Sequence, residues 1–281
     1  MIIFFEHGRL GNNIFQYAAL RQLYPKHRLV CFGCGDLKKI IYPIDVISLE
    51  KGIIPSWVLL VLRKALSLFA KIKLIGIVYE SYSGSDYSVV ESKGLIPNFY
   101  FSNNSSFQSK KIIDKFWPDY KIHSNFLDLA KVWLEGHKIQ LEETNLVFVH
   151  VRRGDYVSWP SREYPGVLGK DWYLNAMQKI RNFVSDPLFV FISDDFHYVN
   201  DCFGDQPNVV ISDNDLFVDL ALMSLSKYGI LSASSFAWWG GWFSKKQNND
   251  TGIYIGPKFW IGHRIQKWLP EDFTSDWITY I

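Results

Sequence analysis

Cysteine is scarce: the 281 residues contain three, Cys31, Cys34 and Cys202. So small and odd a number excludes a disulfide framework. Cys31-Phe-Gly-Cys34 has the spacing of a redox or metal motif, but a zinc site takes about four ligands and no second such pair follows. The two thiols therefore read as small apolar residues flanking a turn. An excess of one charge is also missing. Lys and Arg total 30 against 28 Asp and Glu, a formal net charge of +2. Nucleic-acid binders carry a basic stripe; none is present, so nucleic acid is excluded as a partner. No run of about 18 uncharged apolar residues occurs. The nearest, 53–78, is interrupted by Arg63, Lys64, Lys71 and Lys73. Met1 leads straight into Ile2-Ile3-Phe4-Phe5, without the basic stretch that opens a secretory signal, so a cytoplasmic location is expected. The first glycine loop lacks GxGxxG, which disfavours a dinucleotide oxidoreductase. Internal repeats and low-complexity runs are absent.

What is present is a globular composition. Hydrophobic residues make up 48% and charged residues 21%, a balance that can bury a large core. The length suits two domains. The eleven tryptophans offer faces for sugar rings, although most aromatics of such a chain serve the core.

Ile2–Glu6 reads as a buried strand, His7–Asn13 as a glycine-punctuated loop, and Ile14–Tyr24 as a helix stopped by Pro25. The 53–78 segment has helical spacing with basic interruptions. It either packs on its own domain or lies on a membrane surface, which would place the chain at the inner face of the membrane. From Tyr79 to about Glu143 the pattern is mixed, broken at Phe116-Trp117-Pro118, with a helix expected over Phe126–Lys138. Asn145–Val151 is a continuous apolar strand. From there strands and helices alternate: strands at Leu188–Ile192, Val209–Ile211 and Tyr228–Leu231, helices at Asp171–Phe183, Leu216–Ser226 and from Phe236. Alternation of this kind specifies a parallel, doubly wound sheet. Its polar residues cluster at strand carboxyl ends, where such sheets bind ligands. The domain boundary is placed at 143/144.

Two strand ends carry chemistry. His150-Val151-Arg152-Arg153-Gly154-Asp155-Tyr156 presents two guanidiniums at once after a buried strand, and Arg binds phosphate as a planar, permanently charged fork. Ser232-Ala233-Ser234-Ser235-Phe236 opens a helix, whose amides and hydroxyls favour an anion; a serine N-cap is the plain alternative. Together they describe a pyrophosphate clamp on one sheet edge. Asp155 is the nearest carboxylate to the arginines, as a general base or as a partner orienting Arg153. Glu163, in the next loop, is the second candidate base.

Three stretches, GRLGNNIFQYAAL at 8–20, HVRRGDY at 150–156 and DLALMSLSKYGILSASSFAWWGGW at 219–242, resemble in order and spacing the alpha-1,2-fucosyltransferase family, glycosyltransferase family 11. The resemblance implies an α/β, GT-B-like fold of two Rossmann-like domains with a cleft between them. Residues 1–143 would form the acceptor-side domain and 144–281 the GDP-fucose-binding domain. It implies an inverting enzyme that moves L-fucose from GDP-beta-L-fucose to the 2-hydroxyl of a galactoside. The acceptor would be a galactose-containing oligosaccharide or lipid-linked glycan in a surface polysaccharide, and no metal cofactor would be required. In this pattern Arg152 stabilises the departing GDP. His150 and Asp219 contact the nucleoside end. Arg153, Ser234, Ser235 and Phe236 help hold the diphosphate. Gly11 and Asn12 face the acceptor cleft, with Glu163 on the substrate side. The chain departs from the pattern at Tyr228, usually His, and Ala233, usually Asn.

Two other readings stay open. Asp213-Asn214-Asp215 has the DxD form of a metal-dependent GT-A transferase, and Ser193-Asp194-Asp195 is a second carboxylate pair suited to a hard cation. The arginine pair would then lack a task. A non-catalytic nucleotide-sugar or glycan-binding module would keep the clamp without turnover.

Overall fold

Residue 2 begins the first strand, and its neighbours explain why it is buried: Ile2 and Phe4 are fully enclosed between parallel partners on both sides. The computed structural model describes residues 1–281 except 50, 51, 53, 84, 85, 104 and 115–118, and describes no side chain at 83 or 86. The Phe116-Trp117-Pro118 interruption thus lies outside the described residues. The chain divides into two units, Met1–Lys121 and Ile122–Ile281.

The first unit is built on strands β1 (Ile2–Phe5), β2 (Leu29–Phe32), β3 (Ile47–Leu49), β4 (Gly76–Ser83), β5 (Asp86–Ser92) and β6 (Tyr100–Ser102). They lie in the order β3-β2-β1-β6-β4-β5, parallel except for the β4–β5 hairpin. The first helix spans Leu10–Leu23, starting earlier than its apolar spacing suggests. Gly11 and Asn12 therefore occupy its first turn and not the loop. Gly8, at φ +76°, makes the approach possible, since a Cβ there would meet the Asn12 amide at 2.3 Å. Within the 53–78 segment the described helix spans Ser56–Lys71, and β4 begins at Gly76. Cys31, on β2, and Cys34, just before the next short helix, form a disulfide, so they are not the inert apolar pair expected. Their spacing brings the two Cα atoms to 5.9 Å, within bonding range.

The second unit carries β7 (Asn145–Val151), β8 (Pro187–Ser193), β9 (Val209–Ile211), β10 (Tyr228–Ile230), β11 (Tyr254–Gly256) and β12 (Ile278–Tyr280). Their order is β9-β8-β7-β10-β11-β12, all parallel. Counted from β7 this is 3-2-1-4-5-6, the doubly wound nucleotide-binding order. Its core includes Val147, Val149, Tyr173, Phe189 and Phe191, all fully buried; each such side chain contributes about 1.5–3 kcal/mol relative to exposure. Gly229 is required on β10, because a Cβ there would lie 2.3 Å from the Phe148 ring. Gly240 likewise lets helix Ser235–Gln247 approach Met223 of helix Leu216–Leu225.

The helix expected at Phe126–Lys138 runs Ser124–Gly136 and belongs to the second unit, so the division falls earlier than 143/144. Its apolar face meets the Leu216–Leu225 helix: Phe126 packs on Phe217 at 5.2 Å between ring centroids, and Trp133 Nε1 donates to Asp213 Oδ1 at 2.9 Å. The apolar stripe of that helix marked it as helical, but only the packing reveals which unit it completes.

Candidate active site

In a doubly wound sheet the strand order reverses between strands 1 and 4, and the crevice opens at their carboxyl ends. Here those are β7 and β10, and the residues singled out at 150–155 and 232–236 meet at that point. His150 is the buried penultimate residue of β7, and its Nδ1 lies 2.7 Å from Ser232 Oγ, directly joining the two strand ends. The His150 ring also lies 5.7 Å from that of Phe236. Burial and the neighbouring Arg152 push the His150 pKa down to about 3, so the imidazole is neutral. Ser234 caps the Ser235–Gln247 helix by accepting from Phe236 N at 3.3 Å. The serine N-cap and the anion-site readings are compatible, because the capped helix still directs its dipole toward the β7 end.

Arg152 is mostly buried and held by two carboxylates. Nη1 meets Asp194 Oδ2 at 2.7 Å, and Nη2 donates to half-exposed Asp155. Its guanidinium carbon lies 5.0 Å from the Tyr156 ring centroid, and Nε is buried with no hydrogen-bond partner among the described residues. Arg153 is supported separately. Its guanidinium stacks 3.9 Å from the Tyr198 ring centroid, and Nε is 3.7 Å from Asp195. The expected Asp155–Arg153 pairing is thus replaced by Asp155–Arg152. The reason is the single turn Gly154–Val157, which folds Asp155 back toward the residue three before it.

Asp194 was placed by sequence only in a metal reading. In the fold its Oδ1 accepts the Arg153 backbone N–H at 2.8 Å while its Oδ2 holds Arg152. Asp195 caps helix Phe196–Phe203, accepting from Tyr198 N at 3.1 Å. No local signal marks these roles, since the arginines stand some forty positions earlier; only the β7–β8 pairing, with Ser193 opposite Val151, makes them neighbours.

Asp219 sits in the first turn of helix Leu216–Leu225, almost fully buried, accepting from Ser212 Oγ at 2.6 Å. Burial raises its pKa to about 7; the Ser212 bond opposes the rise, and Asp215 and Asp213 add to it. The DxD carboxylates are otherwise engaged. Asp213 accepts the Trp133 indole, and Asp215 caps the helix through Phe217 N and Val218 N at 2.9 and 3.0 Å. Among the described residues, no group of three His, Cys, Asp or Glu is arranged to hold a metal ion.

Glu163 is exposed in the loop closed by the Pro160–Pro165 bridge, and none of its described contacts reaches the arginines. Gly11 and Asn12 lie in the first unit. Asn12 Oδ1 accepts from Gln108 Nε2 at 2.8 Å, beside buried Asn13 and Gln16. Sequence reasoning missed the residue that organises this edge. Glu80 on β4 is partly buried and accepts from Ser106 N and Phe107 N at 2.9 and 2.8 Å, fixing the loop that carries Gln108. Burial raises its pKa, against those hydrogen bonds.

The model of the family described as "Glycosyl transferase family 11" matches residues 6–281. The chain is 27% identical to the O-antigen biosynthesis glycosyltransferase WbnK of Escherichia coli, over 94% of this chain and 96% of that one. It is 29% identical to an alpha-1,2-colitosyltransferase of Escherichia coli, covering 90% of each. Against galactoside alpha-(1,2)-fucosyltransferase 1 of Mus musculus it is 25% identical, over 84% of this chain and 62% of the mouse protein. Among solved structures it resembles fucosyltransferase NodZ from Bradyrhizobium, with TM-score 0.51 and 12% identity over 85% and 91% of the two chains. It also resembles POFUT1 in complex with GDP, with TM-score 0.51 and 10% identity over 90% and 97%. At such identities these two likenesses concern the fold alone.

Proposed function

Because the chain belongs to glycosyl transferase family 11, we propose that it transfers L-fucose from GDP-beta-L-fucose to the 2-hydroxyl of a galactoside, as a step in building a surface polysaccharide. The observation that carries this reading is the Arg152 guanidinium at the strand-order reversal, beside the capped helix start at Ser234–Phe236. The diphosphate lies along that helix start, held by Ser234, Ser235 and Phe236. His150 and Asp219 meet the nucleoside, with the Asp219 carboxylate accepting from N1–H and the exocyclic amine of guanine. Gly11 and Asn12 serve the acceptor.

The acceptor oxygen bonds to C1 of fucose while the bond from C1 to the β-phosphate oxygen breaks, with inversion from β to α. Negative charge grows on the departing diphosphate, and Arg152 stabilises it where it develops. Asp155 acts as the counter-ion of Arg152, giving way on Nη2 as phosphate oxygens arrive. Asp194 holds Nη1 throughout and keeps the fork aimed. Arg153, stacked on Tyr198, adds positive field without needing to move. The acceptor proton passes to the departing diphosphate, so neither Asp155 nor Glu163 is needed as a base. Two arginines and a helix start supply the positive charge that a cation supplies elsewhere, so the reaction proceeds without a metal.

Titration calorimetry in EDTA tests the donor end. GDP and GDP-fucose are expected to bind and UDP is not. GDP-colitose, which differs only in the sugar, shares the same nucleotide contacts and separates donor choice within the family. Tighter binding of UDP than of GDP, or GDP binding that requires added Mn²⁺, would overturn the assignment.

A further inference from the structure

We propose that the exposed face of the helix Ser56–Lys71, with the 93–96 segment beside it, docks on an anionic phospholipid surface. The helix already satisfies its fold through one side. Leu66 and Ala70 are buried, and Leu59 and Leu62 pack with them on a cluster containing Phe5, Ile75 and Phe101. Among the described residues the opposite side is largely uncovered, yet it is apolar. Trp57 is 69% exposed, and Leu60, Val61, Leu68 and Ile72 are each more than half exposed. At 100° per residue these positions share one face, with Lys64 and Lys71 among them. The stripe does not end with the helix. Leu95 N donates to Lys73 O at 2.8 Å and Ile96 N to Leu74 O at 2.9 Å, which sets Leu95, 81% exposed, alongside the helix end. Gly94 permits that approach, because a Cβ there would overlap the Ile75 backbone.

Charge selects the partner. Residues 54–79 contain Arg63, Lys64, Lys71 and Lys73 and no Asp or Glu. Glu91, two residues before Lys93, accepts a hydrogen bond from Tyr24 at 2.9 Å. A pocket of about 450 Å³ on the flank of the same helix is lined by Arg63, Lys64, Ser67, Leu68, Lys71 and Asn103. Three cations, a hydroxyl and an amide suit a phosphate headgroup, and the adjoining Trp57, Val61, Leu68 and Ile72 suit the acyl boundary beneath it. This is the pattern of a helix lying in the membrane interface, with basic stems reaching up to the phosphates. No described helix is long and apolar enough to cross a membrane, so the contact is peripheral. A neutral surface would use the apolar stripe and leave the pocket without a counter-charge; a water-filled surface would leave both unexplained.

The test is flotation of the full chain with phosphatidylcholine vesicles and with vesicles that also contain phosphatidylglycerol. Two double variants are compared, Trp57→Ser with Leu68→Ser and Lys64→Glu with Lys71→Glu. All four positions are partly or largely exposed, so thermal unfolding is expected to match the parent chain. The parent should favour the phosphatidylglycerol vesicles by at least about tenfold, and each double variant should lose at least about tenfold of that binding. Equal binding to both vesicle types, no binding to either, or unchanged binding by either double variant would overturn the proposal. So would a concentration-dependent dimer in sedimentation that the same substitutions abolish, because the face would then be covered by a second copy of the chain.

Discussion

Replacing Arg152 with alanine is expected to lower turnover by about 100-fold or more while weakening GDP binding much less. The asymmetry follows from where the charge appears. The diphosphate gains negative charge as the sugar departs, so a fork fixed beside it stabilises the transition state more than the bound donor. The fork is already aimed before substrate arrives, because Asp194 holds Nη1 at 2.7 Å and Tyr156 lies under the plane. Preorganisation of this kind is what makes the contribution large. Arg152→Lys should restore little, since an ammonium cannot hold Asp194 and a phosphate oxygen as a planar fork does. Single-turnover rates and GDP calorimetry on each folded variant separate the effects. Near-normal turnover in Arg152→Ala would show that it does not drive departure of GDP. An equal loss in rate and in GDP affinity would make it a binding residue only.

The second large effect is a dependence of GDP affinity on pH through Asp219. Its pKa is raised to about 7, chiefly by burial. Guanine offers two N–H donors, which an ionised carboxylate accepts and a protonated one cannot both satisfy. GDP affinity should therefore fall as the pH drops below about 7, approaching tenfold per unit. The stability of the free protein should move the opposite way. A carboxyl with a raised folded-state pKa contributes most to stability below its unfolded value, and that contribution fades as pH rises toward 7. Acidification should thus firm the free protein at this site while weakening its grip on GDP. Calorimetry at about pH 5.5 and about pH 8 measures the slope. Asp219→Asn should remove the carboxylate's part of that slope and weaken GDP by roughly 100-fold. The terminal phosphate of GDP titrates in this range too, but it does so equally in both proteins, so the difference between them belongs to Asp219. A slope unchanged in Asp219→Asn would remove this residue from the guanine site.

Much of this edge was legible in the sequence, for a physical reason. β7 is buried on both faces and so reads as an unbroken apolar run, and the loop that follows must carry its polar residues at the sheet's carboxyl end. His150, Arg152 and Ser232–Phe236 were found in that way, and the strand positions from β7 to β10 followed from the same alternation. What was not legible depends on partners far along the chain. Asp194 looks like half of a metal motif until β8 pairs with β7. Asp215 looks like the end of a DxD until it is seen to cap a helix, and Asp213 until Trp133 reaches it. The helix Ser124–Gly136 declares its amphipathic face but not the unit it completes. Gly11 and Asn12 join the first helix because Gly8 adopts a left-handed conformation, which lets that helix start before its apolar spacing begins. In β4 and β5 polar and apolar residues do not alternate cleanly, so their hairpin and the role of Glu80 emerged only from the fold.

The most direct test of the central claim is to supply GDP-fucose and a β-galactoside, without added metal, and to determine the product's linkage by NMR. The expected result is stoichiometric release of GDP and a single product carrying α-linked fucose on the galactose 2-hydroxyl. Fucose on any other hydroxyl, a β-linked product, or release of GDP without a fucosylated galactoside would contradict it.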